Sequence, residues 1–284
     1  MIRIDSHQHF WHYSPTTHGW ITDEMEVLKQ DYLPNDLKKE LDANEVAGCV
    51  SVQAAQTEQE TQFLLDQADK HAFIRGVVGW VDLQDEAVAT RLEQWASHPN
   101  FVGVRHIVQA ETDEHFLLRP AFLRGVRLLS EFNLTYDLLI HEGQLPAARS
   151  FVDQLPEAKL VVDHLAKPKI ATHELSPWKE NIQALAERPN VYCKLSGLVT
   201  EADWSNWQPS DLYPYLDVVV EAFGTERVMV GSDWPVCLLA ASYAQVKELM
   251  DQYFASFTAG EQARVYGENT IDFYQLSYEP SPTR

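Results

Sequence analysis

Lys159-Leu160-Val161-Val162-Asp163-His164-Leu165-Ala166-Lys167 opens on consecutive apolar residues and turns polar at Asp163. Val228-Met229-Val230-Gly231-Ser232-Asp233-Trp234 repeats the pattern near the other end of the chain. A strand with one face in water alternates apolar and polar residues, whereas a strand covered on both faces reads as an unbroken apolar run. Both stretches are therefore expected to be buried strands of a parallel sheet, each ending in chemically capable side chains.

Similar apolar or β-branched runs lie at Ile2–Phe10, Gly48–Ala54, Ile74–Leu83, Phe101–Gln109, Leu134–His141 and Val191–Leu198, making eight in all. Their starts are roughly 25 to 46 residues apart, enough for a strand and a crossover helix. The segments between them carry helix signals. Thr57-Glu58-Gln59-Glu60 reads as a capping box ahead of Phe63, Leu64 and Ala68. Ser176-Pro177 places a cap residue and then proline at the first helical position, and Thr258-Ala259-Gly260-Glu261 opens a last helix with a second capping box. Eight strands alternating with helices over about 250 residues predict an α/β fold of the (β/α)8 TIM-barrel form rather than an open doubly wound sheet. No GxGxxG or GxxxxGK[ST] follows any of these runs, so the phosphate-binding open sheets lose support. With no low-complexity linker, residues 1–284 are expected to form a single domain. His12–Pro34, rich in Trp and Tyr, is expected to be a long loop, and Ser277–Arg284 a frayed tail.

The 284 residues carry 22 Lys+Arg against 42 Asp+Glu, a net charge of −20, with 45% hydrophobic and 23% charged residues. That is a globular mix with enough chain for a large core. The acidity argues against nucleic acid and against an anionic membrane surface, because neutralising phosphate needs clustered Lys and Arg. No stretch approaches the roughly 18 apolar residues needed to cross a bilayer, and Met1-Ile2-Arg3-Ile4-Asp5-Ser6-His7 lacks the plan of a secretory signal. Cys49, Cys193 and Cys237 are isolated, which excludes a disulfide framework or CxxC metal knuckle and fits a cytoplasmic location. The expected partner is a small molecule; a homo-oligomer is left open.

In such a barrel the chemistry collects at the carboxyl ends of the strands. Strand one ends in Asp5-Ser6-His7-Gln8-His9, strand four in Val104-Arg105-His106, strand five at His141, strand six in Asp163-His164 and strand eight in Gly231-Ser232-Asp233. Five of the 11 histidines thus fall on one rim. Residues i and i+2 share a face of a strand, so His7 and His9 project together. Alone, such a pair can be two structural histidines bonded to carbonyls; His164 and Asp233 on the same rim turn the reading toward chemistry. Arg105 and His106 face opposite ways, and Arg105 is expected to point inward.

These residues carry a resemblance. Asp5-Ser6-His7-Gln8-His9-Phe10-Trp11, Gly103-Val104-Arg105-His106, Val162-Asp163-His164-Leu165-Ala166-Lys167-Pro168, Cys193-Lys194-Leu195-Ser196-Gly197-Leu198 and Gly231-Ser232-Asp233-Trp234-Pro235-Val236, with His141, resemble the amidohydrolase superfamily. The finer likeness is to its lactonase-like branch, which includes L-fuconolactone and L-rhamnonolactone hydrolases and a pyrone-dicarboxylate lactonase. The resemblance implies a hydrolase that opens a sugar-acid lactone, with Asp233 as the base that activates water. His7, His9 and His164 would polarise the carbonyl, directly or through a metal, and Arg105 and Lys194 would contact the substrate. The plainer alternatives are a rim salt bridge for Arg105 and pairing with Glu201 for Lys194. His141 is either a ligand to the substrate or a polar rim residue.

The superfamily's two-metal sites also use a lysine or glutamate on strand four, and Val102-Gly103-Val104-Arg105-His106 has neither, so a binuclear site is not expected. Arg105 in the site would repel a cation. The expectation is that no metal is required, and that a metal, if present, is a single zinc on His7, His9 and Asp233, since imidazole and carboxylate suit that ion. A lactone is an activated ester, so positive groups aimed at the oxyanion and a carboxylate near water can suffice. Cys193 and Cys237 have no base at a recognisable spacing, and Ser232 lacks a G-x-S-x-G elbow, which leaves them structural. Trp11, Trp80 and Trp234 fall near strand ends, where they either stack on a sugar ring or pack the rim. The competing reading is a metal-dependent decarboxylase or hydratase of a small unsaturated dicarboxylate; a non-enzymatic binder is the third.

Overall fold

The computed structural model describes residues 1–277. The apolar triplets that open the sequence reading are strands, and the polar residues after them have already left the sheet. Strand β6 is only Leu160–Val162 and β8 only Val228–Val230. The others are β1 Ile4–Gln8, β2 Gly48–Val52, β3 Ile74–Gly79, β4 Phe101–Ile107, β5 Thr135–Leu139 and β7 Val191–Leu195. All eight expected strands are present, each shorter than its apolar run. The apolar runs extend past the strands onto the rim, where Asp163 and His164 follow β6 and Asp233 follows β8.

The strands pair in parallel in the order β1-β2-β3-β4-β5-β6-β7-β8, with helices between them. This is the expected (β/α)8 TIM barrel. The seam between β1 and β8 is closed at its carboxyl end by a bridge between Gln8 and Trp234. His9 N–H donates to Trp234 O and Asp233 N–H to His7 O, both at 2.8 Å. The seam thus fastens the two segments that carry His7, His9 and Asp233.

Two cores hold the barrel. Ile4, Val50, Val52, Val78, Val161 and Met229 fill its lower interior, where Phe273 and Tyr274 of the last helix join them. Each such side chain contributes about 1.5–3 kcal/mol on burial. A larger cluster, including Leu64, Phe122, Phe151, Trp178 and Leu216, lies between sheet and helices.

The helix signals divide in an informative way. Thr258 and Glu261 form the expected capping box. Thr57 caps Glu58–Lys70 by accepting from Glu60 N–H, but the Glu60 carboxylate instead accepts from the Ala54 and Ala55 N–H groups at the end of β2. Helix Trp178–Ala186 starts one residue later than expected, with Pro177 at the cap and the Ser176 hydroxyl bonded to Glu180. The His12–Pro34 loop contains a short 3₁₀ turn, Asp23–Leu28, and Pro34 already begins the next helix. The expectation for the tail falls almost entirely on residues 278–284, outside the described residues.

Candidate active site

Three imidazoles converge on one carboxylate at the carboxyl end of the barrel. Asp233 Oδ1 lies 3.3 Å from His9 Nε2, 3.8 Å from His7 Nε2 and 4.0 Å from His164 Nε2. His7 and His9 are themselves 3.2 Å apart at Nε2. Their far nitrogens are engaged by other partners. His9 Nδ1 lies 2.7 Å from Val52 O, and His164 Nδ1 lies 2.9 Å from Ser196 Oγ. His7 Nδ1 sits 3.1 Å from Lys194 Nζ and 3.3 Å from Asp163 Oδ1.

The backbone is bent to make this meeting possible. His164, Leu165, Ala166 and Lys167 all have left-handed φ values, as does Asp233 at 57°. Such conformations cost non-glycine residues on the order of 1–3 kcal/mol each and persist where surroundings over-determine them. Gly197, at φ 67°, lies so close that a Cβ there would be 2.6 Å from His164 Nδ1. Asp5 holds the other arm. Its carboxylate accepts from Ser232 N–H, Ser232 Oγ, Tyr243 OH and His7 N–H.

Burial and charge set the protonation. Burial pushes His164 down to about 4 and lowers His7 and His9, so all three stand neutral at pH 7. Burial alone would raise Asp233, but His164 and then His9 and His7 outweigh it and hold the carboxyl well below its ordinary range. A lower layer supports the rim. Arg105 Nη1 bonds Asp163 Oδ2 at 3.1 Å and approaches His7 Nε2 at 3.3 Å, while Lys194 pairs with Asp137 and Asp163.

A family model described as amidohydrolase matches residues 4–276. The chain belongs to the amidohydrolase family. This amidohydrolase is 41% identical, over all of its length and 99% of the other, to an L-fucono-1,5-lactonase of Burkholderia multivorans. It is 34% identical, over 97% of this chain and 96% of that one, to an L-fucono-1,5-lactonase of Burkholderia ambifaria. A crystal structure of an amidohydrolase from Burkholderia multivorans with bound zinc superposes with a TM-score of 0.95 at 40% identity, covering 98% of this chain and 100% of that one.

The amidohydrolase brings together His7, His9, His164 and Asp233, as the sequence suggested, and turns Arg105 inward. His106 lies at the rim, bonded to Glu111 and stacked on Phe116. The substrate contacts expected of Lys194, Trp11 and Trp234 meet buried side chains instead. Lys194 has no exposed surface and reaches Asp137 and Asp163 inside the barrel; Glu201, the partner the sequence offered, pairs with Lys167 instead. Trp11 is buried because the chain has left the strand and bridges Tyr32, its indole N–H bonding Gln30 O. Trp234 is buried against Phe10 and Tyr32. Neither offers a face to a ring. Trp80 is half-buried and bonds His106 through its indole N–H. His141 is exposed at the rim, its backbone N–H bonded to Gln144. Cys193 and Cys237 are buried thiols pushed well up by desolvation, and Ser232 is tied to Asp5, which suits none of them to nucleophilic attack.

The donor set also suits one metal ion. One ligand atom each from His7, His164 and Asp233 lies within 4.8 Å of the others, so His164 enters the set that the sequence reading assigned to His7, His9 and Asp233. His9 Nε2 stands beside it. Ligands about 2.0–2.1 Å from a tetrahedral zinc are about 3.3 Å apart, and the separations of 3.3–4.0 Å from Asp233 Oδ1 are close to that. His7 turns Nδ1 toward Lys194 Nζ and Asp163 Oδ1 in the lower layer and Nε2 toward Asp233.

Proposed function

We propose that this amidohydrolase is a lactonase that opens sugar-acid lactones, with L-fucono-1,5-lactone as the representative substrate. The observation carrying the reaction class is the meeting of three neutral imidazoles on the Asp233 carboxylate. The substrate class is supported by full-length likeness to the two L-fucono-1,5-lactonases.

In this reading Asp233 Oδ1 takes the proton of the attacking water. The new C–O bond forms at the lactone carbonyl, the ring C–O bond breaks, and the ring oxygen leaves as a hydroxyl, taking the proton that Asp233 accepted. His9 and His164 orient Asp233 and face the oxygen on which negative charge develops. The bonds to Val52 and Ser196 fix their rings before substrate arrives. Arg105 and Lys194 act from below, holding Asp163 and through it His7. His7, His164 and Asp233 would hold one zinc ion, which when bound supplies Lewis acidity toward carbonyl and water.

The test is a panel of aldonolactones read by proton release in weak buffer, with an enzyme-free blank at each pH. Turnover of L-fucono-1,5-lactone well above the blank is expected. A purified, folded protein that opens none of the lactones but releases carbon dioxide from an unsaturated dicarboxylate would replace this reading with the decarboxylase one.

A further inference from the structure

We propose that the barrel interior contains a second cation position below the active site, and that the Lys194 ammonium permanently fills it. One ligand atom each from His7, Asp137 and Asp163 lies within 4.8 Å of the others. Lys194 Nζ stands among them, 2.5 Å from Asp137 Oδ2, 3.1 Å from Asp163 Oδ1 and 3.1 Å from His7 Nδ1. Lys194, Asp137, Asp163 and His7 all have no exposed surface. Two carboxylates this deep require a positive charge within reach, because an unpaired buried charge is among the costliest groups in a fold.

The rest of the surroundings is built around that charge. Tyr274 OH donates to both oxygens of Asp137, and Arg105 occupies Asp163 Oδ2. Among the described residues Asp163 Oδ1 meets no hydrogen bond of good geometry, and the ammonium 3.1 Å away compensates it. Imidazole and two carboxylates are a donor set that zinc accepts. His7 presents Nδ1 to this inner position and Nε2 to the outer one, and His9 Nε2, 3.3 Å from Asp233 Oδ1, can serve the outer set when His7 turns inward. A covalently tethered cation thus keeps the interior neutralised without an ion and limits the protein to a single exchangeable metal position. The inference concerns ion count alone and does not depend on the proposed reaction.

The experiment is zinc content per chain, measured after equilibration with excess zinc and desalting. Wild type should retain no more than one zinc. Lys194→Met should retain one more than wild type, and adding Asp137→Asn should return the count to the wild-type value. If Lys194→Met does not fold alone, zinc should restore its cooperative melt, with a midpoint that rises with zinc concentration. Two zinc ions in wild type would overturn the proposal. So would a folded Lys194→Met chain with no added ion, or an unfolded one that zinc does not rescue.

Discussion

Asp5 and Ser232, 227 residues apart, are joined twice: Asp5 Oδ1 accepts from Ser232 N–H at 2.9 Å and Asp5 Oδ2 from Ser232 Oγ at 2.6 Å. Ser232 precedes Asp233, so the joint fixes the peptide that aims the proposed base. Asp5 also accepts from Tyr243 OH and His7 N–H, so all four bonds run toward the carboxylate, two of them from backbone N–H groups that can only donate. Asp5→Asn must turn an amide N–H toward one of them. The expected cost is about 1–3 kcal/mol of stability in urea unfolding and about tenfold or more in turnover, since small displacements of reacting groups are expensive. Unchanged turnover would show that the joint merely closes the barrel.

The fold was legible because buried parallel strands announce themselves as apolar runs, and Leu160–Val162 and Val228–Val230 did so. Their ends were not, because the polar residues that follow belong to the site and not to the sheet. His7, His9, His164 and Asp233 could be read from position alone. Lys194 could not: Asp137, its partner at 2.5 Å, lies 57 residues away, whereas Glu201 is close in sequence but bound by Lys167. The signal for Asp137 was there, as a lone acid inside the apolar run Thr135–Leu139. Ser196 and Tyr274 show nothing in sequence that points to their partners His164 and Asp137. Trp11 misled because its burial depends on Gln30 and Tyr32, brought back by the loop.

Gly197→Ala tests how tightly His164 is held. The new Cβ would fall 2.6 Å from His164 Nδ1, at a φ of 67° that alanine disfavours. A loss on the order of 1–3 kcal/mol is expected from strain, with His164 displaced from Ser196 and turnover lowered. Ser196→Ala removes the hydrogen bond without the clash and should have the smaller effect on stability. Equal effects in the two variants, by urea unfolding and kinetics, would contradict this ordering.

Stability should depend on pH through His164. Its folded value is depressed from 6.5 to about 4, so between these limits the unfolded chain binds the proton and the folded chain does not. Stability from this group is complete above about 6.5 and falls as pH drops toward 4, by on the order of 3 kcal/mol. Burial raises Asp5 to about 6 and Glu60 to about 7, which works in the opposite sense over an overlapping range. The contribution is therefore read as the difference between wild type and His164→Asn. Wild type should lose ground to the variant on acidification; a gap independent of pH would contradict a buried neutral His164.

Removal of metal should separate the outer position from the protein's own groups. Dialysis against a chelator is expected to leave turnover largely unchanged, because Asp233, His9 and His164 carry the proposed steps themselves. His164→Ala should weaken zinc retention about 10-fold or more, because one of three donors is lost. Turnover lost with the metal, as followed by elemental analysis, and restored specifically by zinc would move the carbonyl polarisation from these imidazoles to the ion.

Turnover of L-fucono-1,5-lactone by Asp233→Asn, with folding checked by its near-ultraviolet spectrum, tests the central claim most directly. The amide keeps the shape of the carboxylate and removes its charge and basicity. Relative to wild type, kcat should fall by about 10² or more while the protein stays folded. A folded Asp233→Asn protein with near-normal kcat would contradict the assignment of the water's proton to Asp233.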